Sequence, residues 1–280
     1  MSRIYLLLCC ITLTACTPSE QDIQKLVQRH LDEMVFVEGG SFMMGNPGGW
    51  SVRKDTWPPH KVTLDSFYIQ KYEVTNRDFD LFRKATGYVS SSPRYKGFYQ
   101  ENKPHFAPKL PAIASWRDAK AFCQWLGQQT GKSIDLPTEA QWEYAARARG
   151  QMLRYATHDG EARAGVNMLP KAKDGFTNRE ALPLPPGSFP PNPLGLYDMS
   201  GNAYEWVNDN YQPDYYEHSP EHNPQGPETG KPSLIQGMQQ KVARGGDIYD
   251  FLGNTTVTRI NLSEHFVFAA VSFRCAMATP

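Results

Sequence analysis

The sequence predicts a single α+β domain with a small twisted antiparallel sheet, a few helices and much irregular structure. Two short segments near residues 34–40 and 60–69 alternate as strands do, and several helices with clear capping residues follow. Residues 150–240 are rich in Gly, Pro and Asn and show little periodicity. No repeat or linker divides the chain, and 40% apolar residues in a chain of 280 are ample for one packed core.

The first elements are a helix and two strands. Residues 19–33 predict a short helix, because Ser19 can cap its first turn and its apolar residues share one face. Residues 34–40 predict a strand that ends at a glycine turn, and residues 60–69 alternate well enough to predict a second strand.

Three more helices follow these strands. Residues 75–78 open a helix that buries Phe79 and Phe82. Ser115 caps the next helix, which places Cys123 beside the core. Residues 138–141 form a capping box for the last helix. The long irregular region after it predicts ordered loops that need a staple such as a metal ion.

Charge composition excludes one class of partner. The chain has 29 basic and 29 acidic residues, a formal net charge of zero, and no run of Lys or Arg longer than two. Binding to a phosphate backbone needs clustered basic residues. The sequence therefore predicts no nucleic-acid partner.

The N-terminus has the features of an export signal. Arg3 precedes an apolar run at 4–13 that is too short to span a bilayer and suits the core of a signal peptide. Residues 13–16 resemble a bacterial lipobox, so residues 1–15 are expected to be removed and Cys16 lipidated; an ordinary signal peptide cut near Ala15 is the alternative. Thr17 in place of an aspartate indicates a periplasm-facing lipoprotein of the outer membrane.

Four separated motifs carry a family resemblance. They lie at residues 136–145, 193–206, 244–246 and 273–276. Together they resemble the formylglycine-generating enzyme (sulfatase-modifying factor) domain, a relative of the C-type-lectin-like fold. The resemblance implies that residues 34–280 form this domain and that residues 16–33 form a lipidated tether with a short helix.

The resemblance also implies a disulfide and two calcium ions. Cys123 and Cys275 match the bridged positions and are the thiols left after export and lipidation; two buried free thiols are the alternative. The first ion would take the side chains of Asn167 and Asp174 and the carbonyls of Met168 and Phe176; the second would take the side chains of Asp198 and Glu205 and the carbonyls of Gly201 and Ala203. Oxygen ligands of this kind suit calcium, although such carboxylates also cap turns.

The redox centre of the enzymatic relatives is missing from this sequence. Their two copper-binding cysteines align with Asp250 and Thr255, and Asp247 stands where a serine is usual. Cuprous copper needs thiolate ligands, which a carboxylate and a hydroxyl do not replace. We therefore expect no formylglycine-generating activity. Asp247 and Asp250 have the alternative interpretations of an acid/base pair or of loop hydrogen bonds.

Two segments rich in Tyr, Pro and Gly, residues 90–99 and 211–216, are candidate binding loops. Packing of these loops onto their own domain is the alternative. The candidate contact residues are Tyr95, Phe98, Tyr99, Tyr215 and Tyr216. Asp247 and Asp250 are further candidates in what we call the altered cleft, the region that holds the two cysteines in the enzymatic relatives.

These observations favour a non-catalytic binding protein. Lipoproteins that resemble this domain accompany secreted antibacterial phospholipase toxins of the type VI class, which implies an immunity protein that neutralises such a toxin. The alternative is a periplasmic tailoring oxidase or non-haem metalloenzyme, similar to relatives that mature a siderophore without the cysteine pair. A redox metal or turnover would favour the enzyme.

Overall fold

The computed structural model describes residues 17–170, 173, 181–234, 237–249 and 253–279. Within these ranges the helices are α1 (Glu20–Asp32), α2 (Asn76–Thr86), α3 (Tyr95–Glu101), α4 (Trp116–Thr130) and α5 (Glu139–Ala146). The strands are β1 (Met34–Val37), β2 (Gly40–Met44), β3 (His60–Leu64), β4 (Phe67–Gln70), β5 (Ile134–Asp135), β6 (Tyr204–Asn210), β7 (Gln240–Arg244), β8 (Arg259–Ser263), β9 (Val271–Phe273) and β10 (Ala276–Ala278).

The strands form three sheets. The first is antiparallel with the order β1-β4-β10-β5, and β2 and β3 form a separate antiparallel pair. The third has the order β8-β7-β6-β9, in which β6 and β9 run parallel with Glu205 opposite Ser272. The α+β class is confirmed. The sequence did not predict the parallel pair, because its strands are far apart in the chain.

The strand predicted at 60–69 is two strands. At the break, the backbone N–H of Asp65 donates to Asn223 Oδ1, and Ser66 Oγ accepts from the N–H of Gly39. The chain leaves one sheet there and enters the next, so β3 and β4 pair with different partners.

Local capping explains where the helices begin. Capping boxes start α1 at Ser19, α4 at Ser115 and α5 at Thr138, and the Thr75 side chain caps α2. Helix α3 was missed from the sequence. Its N-cap residue, Arg94, makes no side-chain cap bond, so the segment carries no local signal for a helix.

Two apolar clusters form most of the core. One joins α1, α2 and α4 to β9 through rings such as Phe79, Phe122 and Phe273, and the other surrounds Trp142 on α5. Helix α1 packs onto the domain instead of standing apart from it. Its Leu26 is buried in the first cluster, and Arg29 pairs with Asp78 of α2 at 2.7 Å.

A disulfide connects two distant parts of this core. Cys123 on α4 is bonded to Cys275, which lies between β9 and β10, with Cα atoms 5.6 Å apart. Both residues are buried in the first cluster. The bridge closes a loop with a sequence separation of 152.

The N-terminal predictions lie outside the described residues. These include the signal segment at 1–15 and the lipidation site Cys16. Among the residues that are described, no helix has both the length and the apolar character needed to cross a bilayer.

We expect the double substitution Cys123→Ala and Cys275→Ala to lower the free energy of unfolding by about 4–5 kcal/mol, because the unfolded chain regains the entropy of a long loop. Urea unfolding of the oxidised protein and of the variant would measure this loss. Adding a reductant should weaken the wild type and leave the variant unchanged. Equal stability of the two proteins without reductant would contradict the expectation.

Candidate functional site

The turn after β7 shapes the region that corresponds to the altered cleft. Gly246 has φ +84°, and a Cβ there would lie 2.0 Å from Asn254 Oδ1, so only glycine fits. Asn254 bridges the loop, because its Oδ1 accepts from the N–H of Asp247 and its Nδ2 donates to the Asp247 carbonyl. Asp247 Oδ1 accepts from the N–H of Tyr249 at 2.9 Å. Asp247 is therefore a buried loop-capping residue.

The positions that replace the redox cysteines are only partly described. Thr255 is buried, and its Oγ1 lies 2.8 Å from Thr258 Oγ1, so its hydroxyl is already hydrogen-bonded. Asp250 lies outside the described residues. On β9, Ser272 is buried and its Oγ has no hydrogen-bond partner in the described part of the chain.

The sheet brings the second predicted cation set to the same region. In register, Glu205 on β6 lies opposite both Arg244 on β7 and Ser272 on β9. Its carboxylate accepts from Arg274 Nε and Nη2, each at 2.6 Å, and from Trp142 Nε1 at 2.8 Å. Glu205 is therefore committed mainly to a buried ion pair.

Asp198 has fewer partners. It lies in the left-handed region with φ +59°, and its Oδ2 accepts from the N–H of Gly187 at 2.6 Å. Burial raises the pKa of Asp198 to about 6, and the charge of Glu205 adds to this effect. Among the described residues, no hydrogen bond to its Oδ1 is found.

A third carboxylate, Glu73, was not among the predicted residues. It is buried between β4 and α2, and both its oxygens accept from Asn202 Nδ2, at 3.1 and 3.3 Å. Burial raises its pKa well above the usual range, and the charges of Asp198 and Glu205 contribute further. In the sequence, Glu73 is an isolated acidic residue two positions before the helix-capping Thr75. A residue of this kind is equally typical of a solvent-exposed turn, so no local pattern marked it as buried.

The charges in this cluster do not balance. Arg274 is the guanidinium that lowers the pKa of both Asp198 and Glu73, and it is paired with Glu205. Two buried carboxylates, Glu73 and Glu205, and the half-buried Asp198 therefore face one guanidinium. No group of three or more His, Cys, Asp or Glu side chains in the described ranges is arranged to hold a metal ion. Among the described residues, Glu205 has an ion-pair partner, whereas Asp198 and Glu73 have none.

Two of the four ligands predicted for the first calcium ion, Asn167 and Met168, lie in the described residues. Asn167 Oδ1 accepts from the N–H of Arg163 at 2.7 Å, and its Nδ2 donates to the Glu161 carbonyl at 2.9 Å. The Met168 carbonyl accepts from the N–H of Gly165 at 2.8 Å. These groups close a turn. The other two ligands of the set, Asp174 and Phe176, lie outside the described residues.

The expectation of exposed tyrosines at 211–216 is wrong. Tyr215 and Tyr216 are buried in the second core cluster, with Tyr216 only 2% exposed. Its hydroxyl donates to Glu139 at 3.2 Å, and the Arg259 guanidinium lies over its ring. A short 3₁₀ helix at residues 215–217 turns both rings inward, so they pack on their own domain and offer no binding surface.

The segment 90–99, predicted as a binding loop, is only partly exposed. Tyr99 is 42% exposed, Phe98 is half-buried, and Tyr95 is buried against Phe106. Two surface cavities of about 370 and 560 Å³ lie between α2 and α3. We call them the α2–α3 groove; both are lined by Asp80, Arg83, Tyr95 and Tyr99.

Comparison with known proteins gives consistent matches. The model of the sulfatase-modifying factor enzyme 1-like domain family matches residues 19–279. The formylglycine-generating enzyme of Thermomonospora curvata is 31% identical over 256 residues, which cover 73% of this chain and 81% of that enzyme. The serine/threonine-protein kinase pkn1 of Chlamydia caviae is 33% identical over 219 residues, 73% of this chain and 32% of that protein. The chain thus spans about a third of the length of such kinase-named relatives.

Solved structures show the same fold. PvdO from Pseudomonas aeruginosa is similar with a TM-score of 0.65 and 28% identity, covering 88% of this chain and 94% of PvdO. CarF has a TM-score of 0.61 and 23% identity, covering 89% of this chain and 98% of CarF. At that identity the second match is evidence of fold alone.

We expect Arg274→Met to lower the free energy of unfolding by about 3–5 kcal/mol at neutral pH, because it leaves buried carboxylates without their counter-ion. The loss should grow as the pH rises, since the folded variant must retain protons that the folded wild type does not need. Urea unfolding at pH 5 and pH 7 would measure both effects.

Lys84→Met is the control, because it removes a cation from the exposed pair with Asp80 and should cost no more than about 1 kcal/mol. A loss for Arg274→Met that is as small as the control's, or that shrinks with rising pH, would contradict the role given to this ion pair.

Proposed function

The chain belongs to the sulfatase-modifying factor enzyme 1-like family, and we propose that it uses this domain to bind a protein partner and not to oxidise thiols. The observation that carries the proposal is the state of Thr255. It stands at a redox-cysteine position of the enzymatic relatives, and its hydroxyl is buried and bonded to Thr258 at 2.8 Å. A hydroxyl in this setting cannot serve as a thiolate ligand for copper.

The specific proposal is an immunity protein that neutralises a secreted antibacterial toxin of the type VI phospholipase class. The lipobox-like segment at residues 13–16 supports an outer-membrane lipoprotein whose domain faces the periplasm. A toxin that attacks phospholipid acts at a membrane surface. A binding domain held there meets the toxin where it would do damage.

The α2–α3 groove is the proposed docking surface. Tyr99 offers an exposed ring whose neighbour is Phe106, with ring centroids 4.9 Å apart. Aromatic side chains beside a concave surface often supply much of the energy of a protein interface. Tyr95 and Phe98, which both pack against Phe106, would hold the groove in shape.

We also propose that calcium stabilises the loops around residues 198–205. Asp198 and Glu73 would hold the ion together with the carbonyls of Gly201 and Ala203. The ion would supply positive charge that offsets the unbalanced buried carboxylates. Its role in this proposal is structural, since a hard divalent cation can staple irregular loops.

For calcium, we expect its addition to the EDTA-treated protein to raise the melting temperature. The stabilisation would be about 2.7 kcal/mol when free calcium is a hundredfold above its dissociation constant. Asp198→Asn should abolish the response, and Asn tolerates the left-handed backbone at this position. Asp32→Asn on the exposed face of α1 is the control and should respond as the wild type does. No calcium response in the wild type would contradict the site.

For binding, we expect a strain that lacks this gene to be killed by toxin secreted from its siblings. Expressing Tyr99→Ala should restore little protection, because losing a central ring typically weakens an interface by 2 kcal/mol or more, about thirtyfold. Phe36→Ala is the matched control. Phe36 is an exposed ring with one aromatic neighbour, Tyr68, on a different strand, and its removal should leave protection intact.

A second candidate function is a periplasmic tailoring oxidase or non-haem metalloenzyme of the siderophore-maturation type. The observation that favours it is Ser272, whose buried Oγ lacks a partner within the described part of the chain, beside Glu205 in the sheet. A deletion strain that resists every sibling toxin but loses a metabolite would support this enzyme. Conversion of a sulfatase-type cysteine peptide by the purified protein would contradict the non-catalytic assignment.

A further inference from the structure

Arg83 lies in the α2–α3 groove and pairs with no carboxylate of the described residues. Its Nη1 donates to the Tyr95 hydroxyl at 3.3 Å, and its guanidinium lies over the Tyr95 ring at 4.9 Å. Its Nε is buried and has no hydrogen-bond partner among the described residues. The nearby acid on the same helix, Asp80, pairs with Lys84 at 2.7 Å. The positive charge of the Arg83 guanidinium is therefore available to an anionic ligand that enters the groove.

A second unsatisfied group lies in the larger cavity of the groove. Ser92 is 5% exposed, and its Oγ has no partner in the described ranges, although its backbone is fully engaged in the turn before α3. Both Ser92 and Arg83 line this cavity. Two buried donors without acceptors in one cavity are costly unless a ligand satisfies them.

We infer that this cavity binds a carboxylate that the protein partner presents beside an apolar or aromatic side chain. The inference rests on the proposed binding function and names the chemistry that the groove recognises. A carboxylate has two acceptor oxygens, one for each of the two donors that lack a partner among the described residues, Arg83 Nε and Ser92 Oγ. The apolar neighbour would pack on Val89, Pro93 and Tyr99, which line the same cavity.

A carboxylate fits better than a phosphate group. A phosphate carries nearly two negative charges and three acceptor oxygens, so it needs more donors than one guanidinium and one hydroxyl. The carboxylate of Asp80 also lines both cavities and would repel the second charge. Asp80 is already paired with Lys84, so the exposed Lys96, which lines the larger cavity, adds one cation for an incoming carboxylate.

Short peptides and the full mature chain provide the test. The probes are acetyl-Phe-Glu-amide and its neutral isostere acetyl-Phe-Gln-amide, with acetyl-Gly-Phe bearing a free terminal carboxylate as a third arm. Titration calorimetry or ligand-observed NMR would give the affinities. We expect at least one carboxylate probe to bind about tenfold or more tightly than the Gln peptide. The arm that binds tells whether a side chain or a chain end supplies the group.

Three variants locate the binding. Arg83→Gln should weaken the carboxylate probe at least tenfold, and Ser92→Ala should weaken it several-fold. Arg83→Lys, which keeps the charge but loses the Nε donor, guards against a variant that fails to fold, and should recover only part of the affinity. Arg154→Gln is the control, because its exposed guanidinium also lies near a tyrosine ring, that of Tyr155.

The inference would be overturned if neither carboxylate probe bound more tightly than the Gln peptide. It would also be overturned if the carboxylate probe that binds kept its affinity for folded Arg83→Gln. The cell assay separates this failure from failure of the binding function. If cells with Tyr99→Ala lose protection while cells with Arg83→Gln stay protected, the groove is the docking surface but does not recognise a carboxylate. If deletion of the gene leaves the cell fully resistant, the proposed binding function itself fails.

Discussion

The guanidinium of Arg274 holds together the part of the structure on which the candidate site depends. All five of its N–H groups are used: two reach Glu205, two reach the carbonyls of Gln70 and Lys71, and one reaches the carbonyl of Tyr197. One buried side chain thus fixes the end of β4, the loop before β6 and β6 itself. The next residue, Cys275, bonds to α4, so the same short segment also anchors the helical layer. A charge buried this deeply is tolerable only because every donor is satisfied.

The same residue leaves an electrostatic imbalance beside it. Arg274 is shared among Glu205, Glu73 and Asp198, and the last two carboxyls have raised pKa values because burial disfavours their charged forms. Such a cluster has two ways to reach neutrality: it can retain protons or it can take up a cation. The loops that carry these groups have little regular structure of their own. Their order is therefore linked to whatever supplies the missing positive charge, which connects a scaffold feature to the proposed calcium.

Short-range signals gave the most reliable sequence predictions. The starts of α1, α4 and α5 follow from capping residues such as Ser115 and Thr138, whose partners lie three residues away. The parallel pairing of β9 with β6 depends on contacts far apart in the chain, and no local pattern encodes it. The Tyr-rich composition of residues 211–216 predicted an exposed binding loop, but Tyr216 is part of the core. The groove at Arg83 was not predictable either, because it needs α3, a helix without a side-chain cap. Motif resemblance predicted Asp198 and Glu205 as calcium ligands, which stays a prediction, and it did not point to Glu73, which lies near them only in the folded chain.

The packing of α1 has a consequence for how the domain would sit on a membrane. Leu26 and Arg29 fix this helix to α2 and the core, and the helix begins at Glu20 behind its Ser19 cap. If the proposed lipid is attached at Cys16, only residues 17–19 separate the acyl chains from a rigid body. Three extended residues reach about 10 Å. The domain would then lie directly on the lipid headgroups and could rotate little. Its orientation relative to the membrane would follow from where α1 packs on the domain. The surface near the start of α1 would face the bilayer, and access by any partner would be limited to the sides and the far end.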